Sequence, residues 1–218
     1  MVFHDVSVTI SEDLPVWPGD PSVSLKLTSS IARGDTANVT QIKMGAHTGT
    51  HIDAPYHFEP NGKTIDQLAI NTLIGPCRVI EMLNIEGAIG PSALEKVDLD
   101  GATRILFKTK NSEWWGYGEK EFKKNYTYIN EQGAEFLIAR GVKLVGIDYL
   151  SVERYDSPDH ATHHLLLRSQ IVIIEGLNLN DVSMGDYELI ALPLKLKGCD
   201  GGPARVILRE NNLQKNNQ

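Results

Sequence analysis

The sequence predicts an α/β fold, a single domain built on a mixed, strand-rich sheet with flanking helices. Three observations carry this reading. Alternating or β-branched runs recur along the whole chain. From Asn130 onward, helical and strand patterns take turns. Neither an internal repeat nor a long linker interrupts the 218 residues. At 41% hydrophobic, a chain of this length carries enough apolar side chain for one core.

The elements follow in order. Val6, Val8 and Ile10 alternate with Ser7 and Thr9 and predict a first strand over residues 6–10. Pro15, Pro18 and Pro21 then exclude regular structure. Residues 23–30 and 38–44 alternate again, with Arg33, Gly34 and Asp35 as a turn between them. Residues 62–73 read as a short loop and helix, 76–83 as a buried strand and 104–108 as another. The polar, aromatic stretch 111–126 reads as a long surface excursion. Ala134, Leu137 and Ile138 place a helix over 130–140, with Gly141 as its C-cap. A strand over 142–147 follows, then a short helix over 162–170 and a buried strand over 171–174 that ends at Glu175. Residues 187–193 and 204–208 are the closing strands. The domain is expected over residues 1–209, with a polar, fraying tail over 210–218.

Composition narrows the function. Lys and Arg number 21 against 28 Asp and Glu, a net charge of −7. A nucleic-acid binder shows a basic excess or a basic run, and this chain has neither; Lys120 to Lys124 is broken by Glu121 and Phe122. No apolar run reaches the roughly 18 residues of a membrane span. Met1 to Asp5 lacks the charged-then-apolar pattern of a secretory signal, so a cytoplasmic location is expected. Cys77 and Cys199 stand far apart, outside any metal or redox spacing, and read as two reduced thiols.

Histidine is distributed differently. Six of the seven fall in two short segments: His47, His51 and His57, then His160, His163 and His164. Residues 45–57 combine three imidazoles with the carboxylate of Asp53, a donor set suited to Zn²⁺ and other divalent first-row metals. In one straight strand the Cα atoms of His47 and His51 would stand about 13 Å apart. Two imidazoles bound at about 2.1 Å to one metal do not span that gap. The chain must bend, and Gly49 permits it. Pro55 then turns the chain and brings His57 back. Spacing alone leaves His57 as either a ligand or a free imidazole for proton transfer. Glu175 closes a wholly apolar run, where an unpaired carboxylate is costly; it is either a ligand or a strand-end group facing solvent.

The run His47-x-Gly49-Thr50-His51-x-Asp53-x-Pro55-x-His57 resembles the signature of the cyclase-like metal-dependent hydrolases, the family that includes the bacterial kynurenine formamidases. The likeness extends to Pro15-Val16-Trp17-Pro18-Gly19-Asp20, to Ala161-Thr162-His163-His164-Leu165-Leu166 with Ile174-Glu175, and to the stretch from Asp186 to Leu194. The resemblance implies a cyclase-like domain of the swivelling β/β/α type and two divalent metals per chain, zinc or manganese. It implies His47, His51 and Asp53 as ligands of the first metal, with Asp53 bridging to a second. In the formamidases the downstream histidine precedes the metal-bound glutamate by twelve residues, which selects His163 before Glu175 and leaves His160 and His164 aside. His57 matches the family's proton donor and acceptor, and Trp17 matches an aromatic residue that contacts substrate. The partners implied are a small aromatic amide substrate and a second copy of the chain, in a homodimer or larger homo-oligomer.

The activity that follows from the resemblance is hydrolysis of an N-formyl-arylamine, such as N-formylkynurenine, to formate and the free amine. A divalent metal supplies an ionised water near neutral pH and Lewis acidity toward the developing oxyanion. His57 would protonate the departing aryl nitrogen, and Trp17, with Trp114 or Trp115, would stack on the ring. Residues 111–118 and 146–153 depart from the formamidase pattern and bear on which amide is cleaved. Two other readings stand beside this one. The same chemistry opens another cyclic or aryl amide, such as an isatin-like lactam, and a metal-binding protein without turnover uses the same ligands. That last reading has no use for an unligated His57.

Overall fold

The computed structural model describes residues 1–116 and 120–210. Its strands are β1 (Phe3–Asp5), β2 (Ser24–Ser29), β3 (Val39–Lys43), β4 (His51–Asp53), β5 (Ile74–Glu81), β6 (Ala88–Ile89), β7 (Arg104–Lys108), β8 (Tyr128–Ile129), β9 (Leu144–Ile147), β10 (Val172–Glu175), β11 (Gly185–Pro193) and β12 (Gly201–Glu210). Its α-helices are α1 (Ile70–Leu73), α2 (Pro91–Leu94), α3 (Ser112–Gly116), α4 (Glu131–Ala139) and α5 (Ala161–Arg168).

Eight strands join in one mixed sheet, in the order β1-β12-β11-β5-β7-β9-β10-β4. β4 also pairs with the start of β12, Gly201 opposite Asp53 and Pro203 opposite His51, so the sheet closes on itself. β5, β7, β9 and β10 run parallel. β11 and β4 run against their neighbours. β2 and β3 form a separate hairpin, and β6 pairs with β8.

Period-two alternation sends side chains into two cores. Val79, Leu106, Leu144, Ile174, Leu189 and Val206 pack with Ile52 on one face. Ile80, Ile105, Phe107, Val145 and Ile173 pack on the other, against Leu94, Leu137 and Leu166 from α2, α4 and α5. Parallel strands buried on both faces read as continuous apolar runs, as 171–174 does. This alternation also positions the polar residues. Ile52 and Ile174 belong to the first core, so His51, Asp53 and Glu175 project to the opposite face, where Glu175 stands directly across from His51.

Two expectations are corrected. The first strand is Phe3–Asp5, paired with Arg209, Leu208 and Ile207 at the edge of β12, rather than residues 6–10. In that segment the Val8 amide donates to Thr50 Oγ1, and Ser7 makes only an isolated bridge to Leu177, so no strand ladder forms there. Residues 111–116 are not a surface excursion: Asn111 and Ser112 are buried. The Asp148 carboxylate accepts from the Thr109 and Ser112 amides and draws the segment inward, while Trp115 Nε1 donates to the carbonyls of Asp148 and Leu177. Tyr117 and Gly118 of that stretch lie outside the described residues. At the end of the chain, Glu210 is the last residue of β12, and the remainder of the expected tail lies outside the described residues.

Candidate metal centre

The bend expected at Gly49 is present, with φ at +65°, a left-handed conformation that glycine adopts without strain. It folds the segment so that the ring centroids of His47 and His51 stand 5.0 Å apart. Pro55 opens a single 3₁₀ turn, Pro55–His57, which returns His57 to stack on His47 at 3.9 Å and 24°. The start of β12 passes directly beside His47. A Cβ on Gly201 would sit 2.6 Å from His47 Cε1, so only glycine fits there.

The second half of the centre comes from α5 and the end of β10. His163 and Glu175 are 5% and 4% exposed, which excludes a solvent-facing Glu175. Glu175 Oε1 accepts from the Val152 amide at 2.7 Å. The neighbour of His163 in the histidine cluster, His164, turns outward and pairs with Glu59 at 2.6 Å, beside Arg168. His160, at the N-cap of α5 with φ of 51°, is half exposed.

Three imidazoles converge, two of them in the same arrangement. His51 Nδ1 donates to the Gly49 carbonyl at 2.9 Å, which leaves Nε2 3.4 Å from both Asp53 Oδ1 and Glu175 Oε2. His163 Nδ1 donates to Glu153 Oε2 at 2.6 Å, which leaves Nε2 3.3 Å from Glu175 Oε1 and 3.9 Å from Asp53 Oδ2. His47 lies between two carboxylates, with Nδ1 2.8 Å from Asp53 Oδ1 and Nε2 2.8 Å from Asp200 Oδ2.

Two atoms at the middle of this arrangement, His51 Nε2 and Asp53 Oδ2, are buried without a hydrogen-bond partner. Each such atom costs about 1–3 kcal/mol unless something else satisfies it. Converging imidazole nitrogens and carboxylate oxygens around orphaned atoms fit a divalent cation. Among the described residues, donor atoms lying within 4.8 Å of one another form one group of His51, Asp53 and Glu175, and another of His47, Asp53 and His57. Asp53 is common to both. Glu153, His160 and His163 form a third group.

The electrostatics follow from the same contacts. Burial opposes charge on His51 and His163, yet the carboxylates beside them prevail and hold both at about 10. Burial likewise opposes charge on His47, but Asp200 and Asp53 raise it to about 9. The hydrogen bond from His47 holds Asp200 down at about 2. His57 moves the other way, because burial lowers it below the ordinary histidine value.

A cavity of about 370 Å³ opens over the centre, with Trp17, His57, Phe58, Leu150 and Arg154 in its wall. Trp17 is braced by Phe122 at 5.1 Å and Tyr155 at 5.3 Å, and Phe58 stacks on His163 at 4.4 Å. Neither Trp114 nor Trp115 lines this cavity; both rings pack on Tyr149 instead.

Comparison with known proteins places this geometry. Residues 4–154 match the Cyclase family. A kynurenine formamidase of Geobacillus thermodenitrificans (strain NG80-2) is 44% identical over 206 residues, 94% of this chain and 96% of that protein. The chain belongs to the cyclase family. Among solved structures, a predicted metal-dependent hydrolase from Bacillus stearothermophilus aligns with a TM-score of 0.82 at 35% identity, across 95% of this chain and 97% of that one. Isatin hydrolase A from Labrenzia aggregata, bound to benzyl benzoate, aligns with a TM-score of 0.82 at 24% identity, across 95% and 93%, a likeness of fold.

For this cyclase-family chain, the structure brings His47, His51, Asp53, His163 and Glu175 together, with His57 and Trp17 at the cavity wall. Sequence reasoning missed Glu153 and Asp200. Glu153 follows the apolar Leu150 and Val152 and turns out 4% exposed, a carboxylate in a buried setting that implies a partner. Asp200 precedes Gly201 and Gly202, and paired glycines within a strand mark a close backbone approach.

Proposed function

We propose that the chain is a metal-dependent amide hydrolase of the arylformamidase type, cleaving an N-formyl-arylamine such as N-formylkynurenine to formate and the free amine. One observation carries the reading: two groups of N and O donors share Asp53 beneath a cavity walled by aromatic rings. His47, His51, Asp53, His163 and Glu175 would hold one or two divalent ions, and imidazole with carboxylate suits Zn²⁺ and Mn²⁺ alike. Such an ion supplies Lewis acidity and a nucleophilic water at neutral pH.

The chain's own residues do the rest. His57, stacked on His47 and open to the cavity, takes a proton from the attacking water and delivers it to the departing aryl nitrogen. Trp17 and Phe58 present ring surface to an aromatic amide. Arg154, which pairs with Asp156 and is the one Lys or Arg lining the cavity among the described residues, suits a substrate carboxylate. The β2–β3 hairpin exposes Leu25, Leu27, Val39 and Ile42, which supports a homodimer or larger homo-oligomer. The free thiols Cys77 and Cys199 support a cytoplasmic location. Among the described residues, no helix is long and apolar enough to cross a membrane.

The test is a series of formylanilides of graded leaving-group basicity, with lactams beside them, assayed on metal-loaded protein. His57→Ala should keep its metal and lose about 10²–10⁴ in kcat, less on electron-poor anilines whose nitrogen needs less protonation. Metal-depleted His57→Ala protein would make His57 a ligand. Turnover confined to lactams would select the isatin-like alternative, and no turnover at all would refute the hydrolase reading.

A further inference from the structure

The three imidazoles of the centre differ in what holds them from outside. His51 is anchored by a backbone carbonyl and His163 by the buried Glu153, each through Nδ1, with Nε2 turned to the central carboxylates. His47 reverses the pattern. Its Nδ1 faces Asp53, and the group at its outer nitrogen, Nε2, is Asp200 at 2.8 Å.

We propose that Asp200 is a positioning residue: it accepts the Nε2–H of His47 and so fixes the tautomer whose Nδ1 lone pair is offered beside Asp53. This rests on the reading that the Asp53 centre holds a divalent metal. A ligating histidine needs one nitrogen bare and the other held as N–H, and an outer carboxylate sets both the tautomer and the ring plane.

The backbone fixes Asp200 for that task. Its carbonyl accepts from the Ala54 amide at 2.9 Å, and the next residue, Gly201, pairs with Asp53 where the sheet closes. Closure of the barrel therefore sets the distance between Asp200 and the ring. The carboxylate is 42% exposed and stays hydrated, unlike the buried Glu153. Its Oδ2 also stands 3.5 Å from His57 Nδ1, and the His57 ring stacks on His47. One oxygen thus flanks both imidazoles, and displacing it disturbs the offered ligand and the proton-transfer group together.

The experiment titrates Zn²⁺ into metal-free parent, Asp200→Ala and Asp200→Asn proteins, reading stoichiometry and affinity by calorimetry. Long-range ¹H–¹⁵N correlation of the imidazoles reads the tautomer. Asp200→Ala should lose about 10–100-fold in affinity at the His47 group while the group of His51, Asp53 and Glu175 keeps its metal. Asp200→Asn, whose amide oxygen still accepts the N–H, should lose less than tenfold, and in the zinc-loaded protein His47 should show the Nε2–H form in both the parent and this variant. Equal affinity in Asp200→Ala and parent overturns the proposal, as does an Nδ1–H tautomer of His47 in the zinc-loaded parent. An Asp200→Asn loss as large as that of Asp200→Ala would make Asp200 itself a ligand and overturn it too. Parent protein that binds no Zn²⁺ refutes the centre and the proposal together. Parent and variants that bind as expected without hydrolysing formylanilides refute only the proposed activity.

Discussion

Gly201→Ala tests the centre without replacing a residue that supplies a donor atom. The added Cβ would lie 2.6 Å from His47 Cε1, 3.1 Å from His47 Nδ1 and 2.9 Å from the Ile52 carbonyl, whereas ordinary contact begins at 3.4 Å. The carbonyl belongs to the β4–β12 pairing that closes the sheet and cannot retreat without breaking it. The imidazole must therefore give way, by about 0.8 Å. Metal sites hold ligand distances to within about 0.2 Å, so a shift several times larger removes His47 from any ion it shares with Asp53. Overpacking of this kind costs about 1–3 kcal/mol, or roughly 2–12 °C in Tm for a chain of this size. Gly202→Ala is the internal control, because the nearest atoms to its Cβ would be Leu194 O at 3.3 Å, Ile65 Cγ1 at 3.5 Å and Pro193 Cβ at 3.7 Å, with no imidazole among them. Metal content by elemental analysis, with thermal melts before and after chelation, should show Gly201→Ala metal-poor and less stable, and Gly202→Ala near parent. If Gly201→Ala retains parental metal, or if both variants lose it equally, the close approach of β12 to His47 is not what places that ring.

The remaining predictions concern the same face and the segment beside it. His163→Ala should lose metal and His164→Ala should keep it, since His164 is committed to Glu59 at the surface; elemental analysis with the opposite outcome would move the register by one. In chelated protein, His47, His51 and His163 sit at about 9, 10 and 10, above their ordinary value. Their stabilising pairs are complete below that ordinary value and are lost as pH rises through those values, so metal-free Tm should fall on going from neutral pH to about 10. Metal-derived stabilisation should grow over the same range, because each ligand sheds its proton to bind; a flat metal-free profile would contradict the pairing. Asp148→Asn should destabilise by about 2–4 kcal/mol in urea unfolding. Its single oxygen cannot serve the Thr109 and Ser112 amides and hydroxyls that the carboxylate accepts now, and an unchanged midpoint would show the network to be dispensable.

Local chemistry made much of this protein legible in its sequence. Alternation and apolar runs placed most strands, because the pleat is a property of a few consecutive residues. The bend at Gly49 followed from the length of a strand and the reach of a metal–imidazole bond. His163 was distinguished from His164 only through the resemblance to the formamidases, whose histidine-to-glutamate spacing it matches; nothing local to α5 sets the two apart. Tertiary structure alone decided the rest. The chain's first strand pairs with its last, and a ladder partner more than 200 residues away leaves no periodic trace at residues 3–5. The segment after Thr109 looks like surface until the buried Asp148 claims its amides, and the demand of a buried carboxylate for donors is visible only once the core exists. Asp200 stands 153 residues from His47, brought to it by closure of the sheet between β4 and β12. Closure is a long-range event that no local pattern encodes, and it sets which side chains share the centre with the His47–His57 motif.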